Sequence, residues 1–443
     1  MRKKKIIIMG AAGRDFHNFN VRYREDPAFE VVGFTAAQIP FIEERVYPPE
    51  LSGPLYPGGI QIHPEQRLAR LIKDTSASAV VFSYSDLSHE EVMHRASLCT
   101  ALGADFTLLG SEKTMIPSKK PVISVCAVRT GCGKSGISRY IAKIITAAGK
   151  TPVAVRHPMP YGPLTRERSV QRFASLEDIQ AARCTIEERE EYEPLVEAGV
   201  TVYAGIDYGE ILKEAEKEAD IIIWDGGNND LPFIRPGLEI VVADPLRAGD
   251  ETRYYPGEAN LIRADVVIIN KANAASEDEI SLVVKNVTML NPSASLIRTA
   301  SVVRAAGDIK GKKALVIEDG PTLTHGGMDR GAGMEAAEKY GAVAVDASPF
   351  AVGSIKETFE KYPGIKNLLP AVGYSKKQTA ELEETINATP SDIVLVATPV
   401  NLAAVIDIQK PAVRVTYEIE EMEGQSLKGV ITGFLTNFME KRL

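Results

Sequence analysis

Between an apolar run at 121–128 and a helical stretch at 135–148, the chain carries Arg129-Thr130-Gly131-Cys132-Gly133-Lys134-Ser135. A Gly-Lys-Ser ending that follows a strand and opens a helix is the setting of a phosphate-binding loop. Glycines let backbone N–H groups approach phosphate oxygens, and the helix N-terminus adds positive potential. Such a loop needs a buried strand behind it and a helix ahead of it, so it dictates α/β structure around itself. The predicted nucleotide cradle is Thr130, Gly131, Cys132, Gly133, Lys134, Ser135 and Gly136. Lys134 would reach the β- and γ-phosphates, and the Ser135 hydroxyl would bind Mg²⁺. The spacing departs from the usual one, because Val128 stands where the first glycine of G-x-x-x-x-G-K-[ST] belongs.

The rest of the chain repeats the same alternation. Further strands are predicted at 5–9, 31–34, 79–83, 152–156, 221–224, 240–242, 266–269, 314–317 and 393–397. Most are continuous apolar runs, as parallel strands buried on both faces require. Helices are predicted at 88–102, 209–219 and 376–387 as well as at 135–148. This alternation predicts an α/β fold with a largely parallel sheet. Polar segments at 109–120 and 306–312 divide the chain into three domains of ordinary size. They are a Rossmann-like N-terminal domain (1–115), a central P-loop NTPase domain (116–306) and a small α/β C-terminal domain (307–443). The net charge of −8 disfavours non-specific nucleic-acid binding. Four Cys with no C-x-x-C pair give neither a disulfide framework nor a zinc site. The basic lead Arg2-Lys3-Lys4-Lys5 precedes only four apolar residues, too few for a secretory signal. No run reaches the roughly 18 apolar residues of a membrane helix. A soluble cytoplasmic protein with neither a membrane nor a nucleic-acid partner is expected.

Other motifs sit at predicted strand ends, where α/β sheets bind ligands. Asp225 heads Gly226-Gly227-Asn228-Asn229-Asp230, and a carboxylate there can hold Mg²⁺ through water. Asn270-Lys271-Ala272-Asn273 is close to the guanine-reading Asn-Lys-x-Asp, but an amide at 273 cannot accept from both guanine donors. Asn270, Lys271 and Asn273 are therefore predicted on a base that is adenine or guanine. Arg156 and His157, in Arg156-His157-Pro158-Met159-Pro160-Tyr161-Gly162, follow another strand, as do Arg247 and Arg253. Arginine forks match phosphate and carboxylate oxygens, so these are predicted to face a small anionic metabolite. The run Glu187-Glu188-Arg189-Glu190-Glu191 reads as a solvated helix face. Gly10-Ala11-Ala12-Gly13-Arg14 is half of a dinucleotide fingerprint, without its third glycine or an acidic ribose binder, which disfavours NAD. An anion site on Gly13, Arg14 and His17 stays open. Near the C-terminal domain's first strand, Thr324, His325 and Gly326 belong to a Gly- and Thr-rich loop predicted to cradle an anion. His63, His89 and His94 lack metal-ligand spacing and read as structural or surface residues.

Arg129 sits five residues before Lys134, and the loop resembles the deviant P-loops of the SIMIBI class. There a lysine in that place serves the partner subunit's nucleotide. This implies a homodimer with Arg129 acting in trans; phosphate contact in cis is the alternative. Over nearly its whole length the chain resembles the cyclic 2,3-diphosphoglycerate synthetase family, whose relatives are often labelled predicted GTPases. The carriers are Gly10-Ala11-Ala12-Gly13-Arg14-Asp15-Phe16-His17-Asn18-Phe19-Asn20, the P-loop block, the run from Arg156 to Gly162, Trp224-Asp225-Gly226-Gly227-Asn228-Asn229-Asp230, and Glu318-Asp319-Gly320-Pro321-Thr322-Leu323-Thr324-His325-Gly326-Gly327. The resemblance implies ATP-driven closure of 2,3-diphosphoglycerate into an intramolecular phosphoanhydride, with ATP hydrolysed to ADP and phosphate. Such chemistry needs positioning and charge neutralisation rather than a protein nucleophile. Lys134, Asp225, Arg129, Arg156, His157 and Arg247 suit that task. The expected function is an ATP-dependent ligase or kinase acting on a small anionic phosphorylated metabolite. A SIMIBI-type regulatory or chaperone GTPase is the alternative, favoured by Asn270-Lys271 and disfavoured by Asn273. A nicotinamide-dependent oxidoreductase fits least.

Overall fold

Continuous runs of Val and Ile satisfy their backbones by pairing and their side chains by lying between helical layers. The computed structural model describes residues 3–11, 13–37, 45–157, 164–319, 331–365, 367–372 and 375–440. Among them the strands form two large sheets. The first has six, in the order Val46–Tyr47, Ile60–Pro64, Phe29–Ala36, Lys4–Met9, Ala79–Phe82, Asp105–Leu108. Lys4–Met9 shows the period of two that a strand imposes. Ile6 and Ile8 enter one core with Phe16, Phe34 and Tyr47, while Ile7 and Met9 enter the other with Val92 and Cys99.

The second sheet has 13 strands in two halves. In the first half Val122–Ala127, every residue buried, lies between Ile221–Asp225 and Leu238–Ala243. Pro152–Arg156 and Thr201–Ala204 extend it on one side, and Val266–Ile269 and Ser295–Ala305 on the other. The strands from Thr201–Ala204 to Ser295–Ala305 are parallel, so their C-terminal ends gather at one edge. The second half contains Ala412–Glu421, Ile393–Ala397, Lys313–Asp319 and Val343–Ala344, with Leu369–Ala371 also on Lys313–Asp319. An antiparallel ladder from Thr299↔Glu421 to Ala305↔Val415 joins the halves.

The sequence division at 307 and the sheets part company at the C-terminus. Helix Leu427–Glu440 returns to the first half, where Leu427, Ile431 and Leu435 share a core with Ile141 and Ile145 of the P-loop helix Lys134–Ala147. Each such side chain stabilises by about 1.5–3 kcal/mol when fully buried. The last segment of the chain thus completes the P-loop core.

Helix Ile186–Glu197 also differs from expectation. Glu187, Glu188, Glu190 and Glu193 are buried rather than solvated. The helix is wedged between the halves, with Tyr192, Leu195 and Val196 in the P-loop core and Ile186 in the C-terminal one. Polar partners offset the burial. Thr398 Oγ1 donates to Glu190 at 2.8 Å, the Asn401 N–H donates to Glu193 at 3.0 Å, and Arg168 lies 3.6 Å from Glu188. Burial still raises the Glu188 pKa above the ordinary carboxylate value. Among the described residues no helix is long and apolar enough to cross a membrane.

Candidate active site

The loop after Val122–Ala127 is held from behind. Gly133 caps the helix at φ +93°, where L side chains are strained, and a Cβ there would overlap the Asn270 carboxamide. The Thr130 carbonyl accepts from Arg247 at 2.8 Å, that of Gly131 from Lys271 Nζ at 2.8 Å, and that of Cys132 from Asn270 at 2.9 Å. A planar trans peptide points its N–H opposite to its carbonyl, which turns the N–H groups of Gly131, Cys132 and Gly133 into the loop. Asp244 anchors the braces, accepting from Lys271 at 2.7 Å, and Thr299 donates to Asn270 at 2.9 Å.

Asn270, Lys271 and Arg247, predicted on base or substrate, therefore sit behind the loop as its supports. Asn273 is exposed and accepts the Ser301 N–H at 2.9 Å, which directs its carbonyl at the neighbouring strand. Gly136 gives the helix its close approach to Tyr417 and Ile419. Burial pushes the Cys132 thiol up to about 11, so it stays protonated.

At the mouth of the loop lies a row of alternating charges. Lys134 Nζ donates to Asp225 Oδ1 at 2.6 Å and to the Gly226 carbonyl. Asp225, fully buried, pairs through its second oxygen with Arg156, and Arg156 pairs in turn with Glu191. Strand register puts Asp225 opposite Arg156, so adjacent strand ends bring them together. Burial alone would raise the Asp225 pKa, but Arg156 and then Lys134 outweigh it and hold it below the ordinary value. For Lys134 burial dominates and lowers the pKa, with Asp225 opposing.

Ser135 follows Lys134 in the first helical turn and is partly exposed. Among the described residues, Arg156 Nε and Nη1, Thr130 Oγ1 and His157 Nε2 are buried without a hydrogen-bond partner, as are the ion-paired oxygens Asp225 Oδ2 and Glu191 Oε2. An unsatisfied buried polar atom costs about 1–3 kcal/mol, and a site evolved for oxyanions is where such donors are tolerated. The loop amides, Lys134 and Ser135 fit a nucleotide with Mg²⁺, whereas Asp225 has its two oxygens on Lys134 and Arg156 and meets a metal-bound water only where Lys134 moves to the phosphates.

The first sheet contributes the facing wall. Arg14 pairs with Asp230, donates to the Leu231 carbonyl and lies 4.6 Å from the Phe233 ring centre. His17 stacks on Phe233 at 4.1 Å and donates Nε2–H to the Thr114 carbonyl at 2.6 Å. Gly13 lies against His157, and a Cβ there would overlap that ring. The Asp15 carboxylate takes the N–H groups of Gly13 at 2.9 Å and Phe16 at 2.7 Å, filling the turn that was open to an outside anion. Gly13, Arg14 and His17 therefore form the joint between the first sheet and the P-loop unit. Burial, with Arg14 adding to it, brings both His17 and His157 down to about 3. Burial also raises the Asp230 pKa, although Arg14 opposes it.

Arg129 is engaged within its own chain. It donates to Asp86 at 2.9 Å and Asp250 at 2.8 Å, and its guanidinium lies 3.6 Å from the Tyr254 ring centre. Arg253 is exposed, and its carbonyl accepts the His89 N–H at 2.8 Å beside the antiparallel pair Tyr254–Tyr255 and Leu87–Ser88. Thr324, His325 and Gly326 lie outside the described residues, as do 158–163. Sequence reasoning missed Glu191, because nothing in a run of glutamates says which one meets an arginine from a distant strand. It also missed Asp244 as an anchor, although its place at a strand end was a usable signal.

A phosphate-binding loop at the head of a parallel sheet, with a buried carboxylate and a guanidinium on the adjacent strand ends, defines a P-loop nucleotide-binding protein of the α/β class. No family model matches the chain. Arginine synthetase ArcE of Thermococcus kodakarensis is 56% identical to it over 439 residues, 98% of each chain. The cyclic 2,3-diphosphoglycerate synthetase of Thermococcus sibiricus is 25% identical over 236 residues, 49% of this chain and 54% of that one. The chain belongs to the family of arginine synthetase ArcE, a relative of the cyclic 2,3-diphosphoglycerate synthetases. Among solved structures, LpxK from Aquifex aeolicus in complex with ATP superposes with a TM-score of 0.43 at 12% identity, over 78% of this chain and 95% of that one.

Proposed function

We propose that the protein is an ATP-dependent ligase that forms a guanidino product of the arginine class. The observation that carries this reading is the buried row Lys134–Asp225–Arg156 at the mouth of the P-loop, in a chain whose full-length relative is an arginine synthetase. The loop amides and Lys134 would hold the β- and γ-phosphates. Mg²⁺, held by the Ser135 hydroxyl and, once the phosphates draw Lys134 from its Oδ1, by Asp225 through water, would supply charge neutralisation on those oxygens. Arg156 would offset the charge on the transferred phosphoryl group. His157, neutral near pH 7 because its pKa is about 3, would orient by hydrogen bonding rather than carry protons.

For a guanidino product the acceptor is a ureido group. Its oxygen attacks the γ-phosphorus as the bond to ADP breaks. Ammonia then attacks the ureido carbon, and phosphate leaves with that oxygen. Every step is one of positioning and charge neutralisation, which the row supports. The 2,3-diphosphoglycerate reading keeps the same first half with a phosphate as acceptor, but the synthetases of that name from Thermococcus sibiricus and Thermococcus kodakarensis match about half of this chain at 25% and 26% identity. The switch-GTPase reading has less support still, because Asn270 and Lys271 brace the loop and Asn273 faces Ser301.

The test incubates the protein with Mg²⁺, ATP or GTP and ammonium. The acceptors are the ureido counterpart of arginine, 2,3-diphosphoglycerate, and a panel of small phosphates and carboxylates. Arginine formed with ADP from ATP is the expected result. A cyclised diphosphate would move the assignment to phosphoanhydride formation. Slow GTP-selective hydrolysis indifferent to every acceptor would replace the ligase with a switch.

A further inference from the structure

The row of charges does not stop at Arg156. Its outer member is Glu191, about one-third exposed (34%) and standing on helix Ile186–Glu197. That helix is fastened along its length: Thr398 holds Glu190, the Asn401 N–H holds Glu193, and Arg414 grips Glu197 with two hydrogen bonds of 3.0 and 2.8 Å. Glu191 is thus presented by a rigid element, as a precise contact requires. Arg156 is buried, with one arm on Asp225 and the other on Glu191. An arginine side chain carries about 2 kcal/mol of rotamer entropy, and a single carboxylate fixes only one edge of its fork. Two carboxylates, one ion-paired with each arm, hold the guanidinium from both sides, while Nε and Nη1 keep no hydrogen-bond partner.

We propose that Glu191 is a positioning residue, which sets the Arg156 guanidinium beside Asp225 to meet the γ-phosphoryl group. This rests on the phosphoryl-transfer reading of the site. Lys134 and Arg156 share Asp225, so phosphates that draw Lys134 toward them also pull on Arg156. Glu191 is the group that opposes that pull. Among the described residues it pairs with the arginine and not with the loop that would hold the β-phosphate.

The test uses the full chain with Glu191→Gln, Glu191→Asp, Arg156→Lys and the Gln–Lys double variant. It measures kcat and KM on whichever acceptor the wild type turns over, and equilibrium binding of ADP and of the imido analogue of ATP, each with Mg²⁺. In Glu191→Gln, kcat falls about 10- to 100-fold, the range a misplaced reacting group costs. ADP affinity stays within about twofold while the imido analogue weakens further, because only the latter carries the group Arg156 meets. Glu191→Asp keeps the charge and recovers part of kcat. The double variant loses no more than Arg156→Lys alone, since residues acting as a unit are not additive. Unchanged kcat in a folded Glu191→Gln protein would overturn the proposal, as would equal losses for both nucleotides or additive effects in the double variant. Wild-type turnover of a different acceptor would overturn only the guanidino assignment. A wild-type protein that binds neither nucleotide would overturn both.

Discussion

Asp225 faces two cations with no solvent between them, so its charge never depends on Lys134 alone. Lys134→Ala is therefore expected to leave the buried carboxylate paired with Arg156 and the fold intact. Turnover should drop by about 10²–10³-fold, the scale of removing one electrostatic donor from a transition state. Near wild-type turnover in a folded variant would refute the loop's role. His17 makes a separate prediction. Its folded pKa is about 3 against an ordinary 6.5, because burial and then Arg14 disfavour the cation. Between those values the unfolded chain binds a proton that the native chain does not. Its contribution to stability is complete above about pH 6.5 and is lost as pH falls toward 3. His17→Phe keeps a ring on Phe233 but removes the titration. Its melting temperature should be lower at pH 7, for want of the bond to Thr114, yet fall less between pH 7 and pH 5 than that of the wild type. Equal falls would contradict the buried neutral imidazole. Lys134, Asp225 and Arg156 were legible as residues because strand ends and a Gly-Lys-Ser turn mark them. The partners of Arg129 and His17, and the loop carbonyl that Arg247 meets, were not, because they come from elements far away in sequence.

At the scale of elements, the continuous apolar runs were legible as buried parallel strands, from Lys4–Met9 to Ile393–Ala397. Strand Ala412–Glu421 was not. It alternates Val413, Val415, Tyr417 and Ile419 with Arg414, Thr416, Glu418 and Glu420, the mark of a half-exposed strand that a search for continuous runs passes over. The acidic helix misled for the opposite reason: its charges read as solvated until a second layer covers them. The joint between the first sheet and the P-loop unit also lives at this scale, and Gly13 is its tightest point. Gly13→Ala puts a methyl group into the His157 ring, and overpacking of this kind costs about 1–3 kcal/mol. A lowered midpoint in denaturant, with turnover reduced as the wall shifts, is the expected result. Unchanged stability and activity would mean that the two units do not meet as described.

At the scale of the molecule, the chain's last segment closes the core that its P-loop opens. Ile431 is fully buried there. Ile431→Ala should cost about 2–5 kcal/mol, as for other buried large-to-small changes, and should lower the midpoint of the P-loop unit although it lies nearly 300 positions from Lys134. A loss under 1 kcal/mol would show that the helix only rests on the surface. A return of this kind is invisible to a reading that cuts the chain at polar segments. The α/β class and the P-loop were legible at this scale, because each follows from local pattern. The acceptor was not, since no motif names it.

The most direct test of the central claim is the stoichiometry of the reaction with ATP, ammonium and the ureido counterpart of arginine. The account predicts one ADP and one phosphate per guanidino product, and no product when ATP is omitted or Lys134 is replaced by Ala. Release of AMP, or product formed without nucleotide, would contradict it.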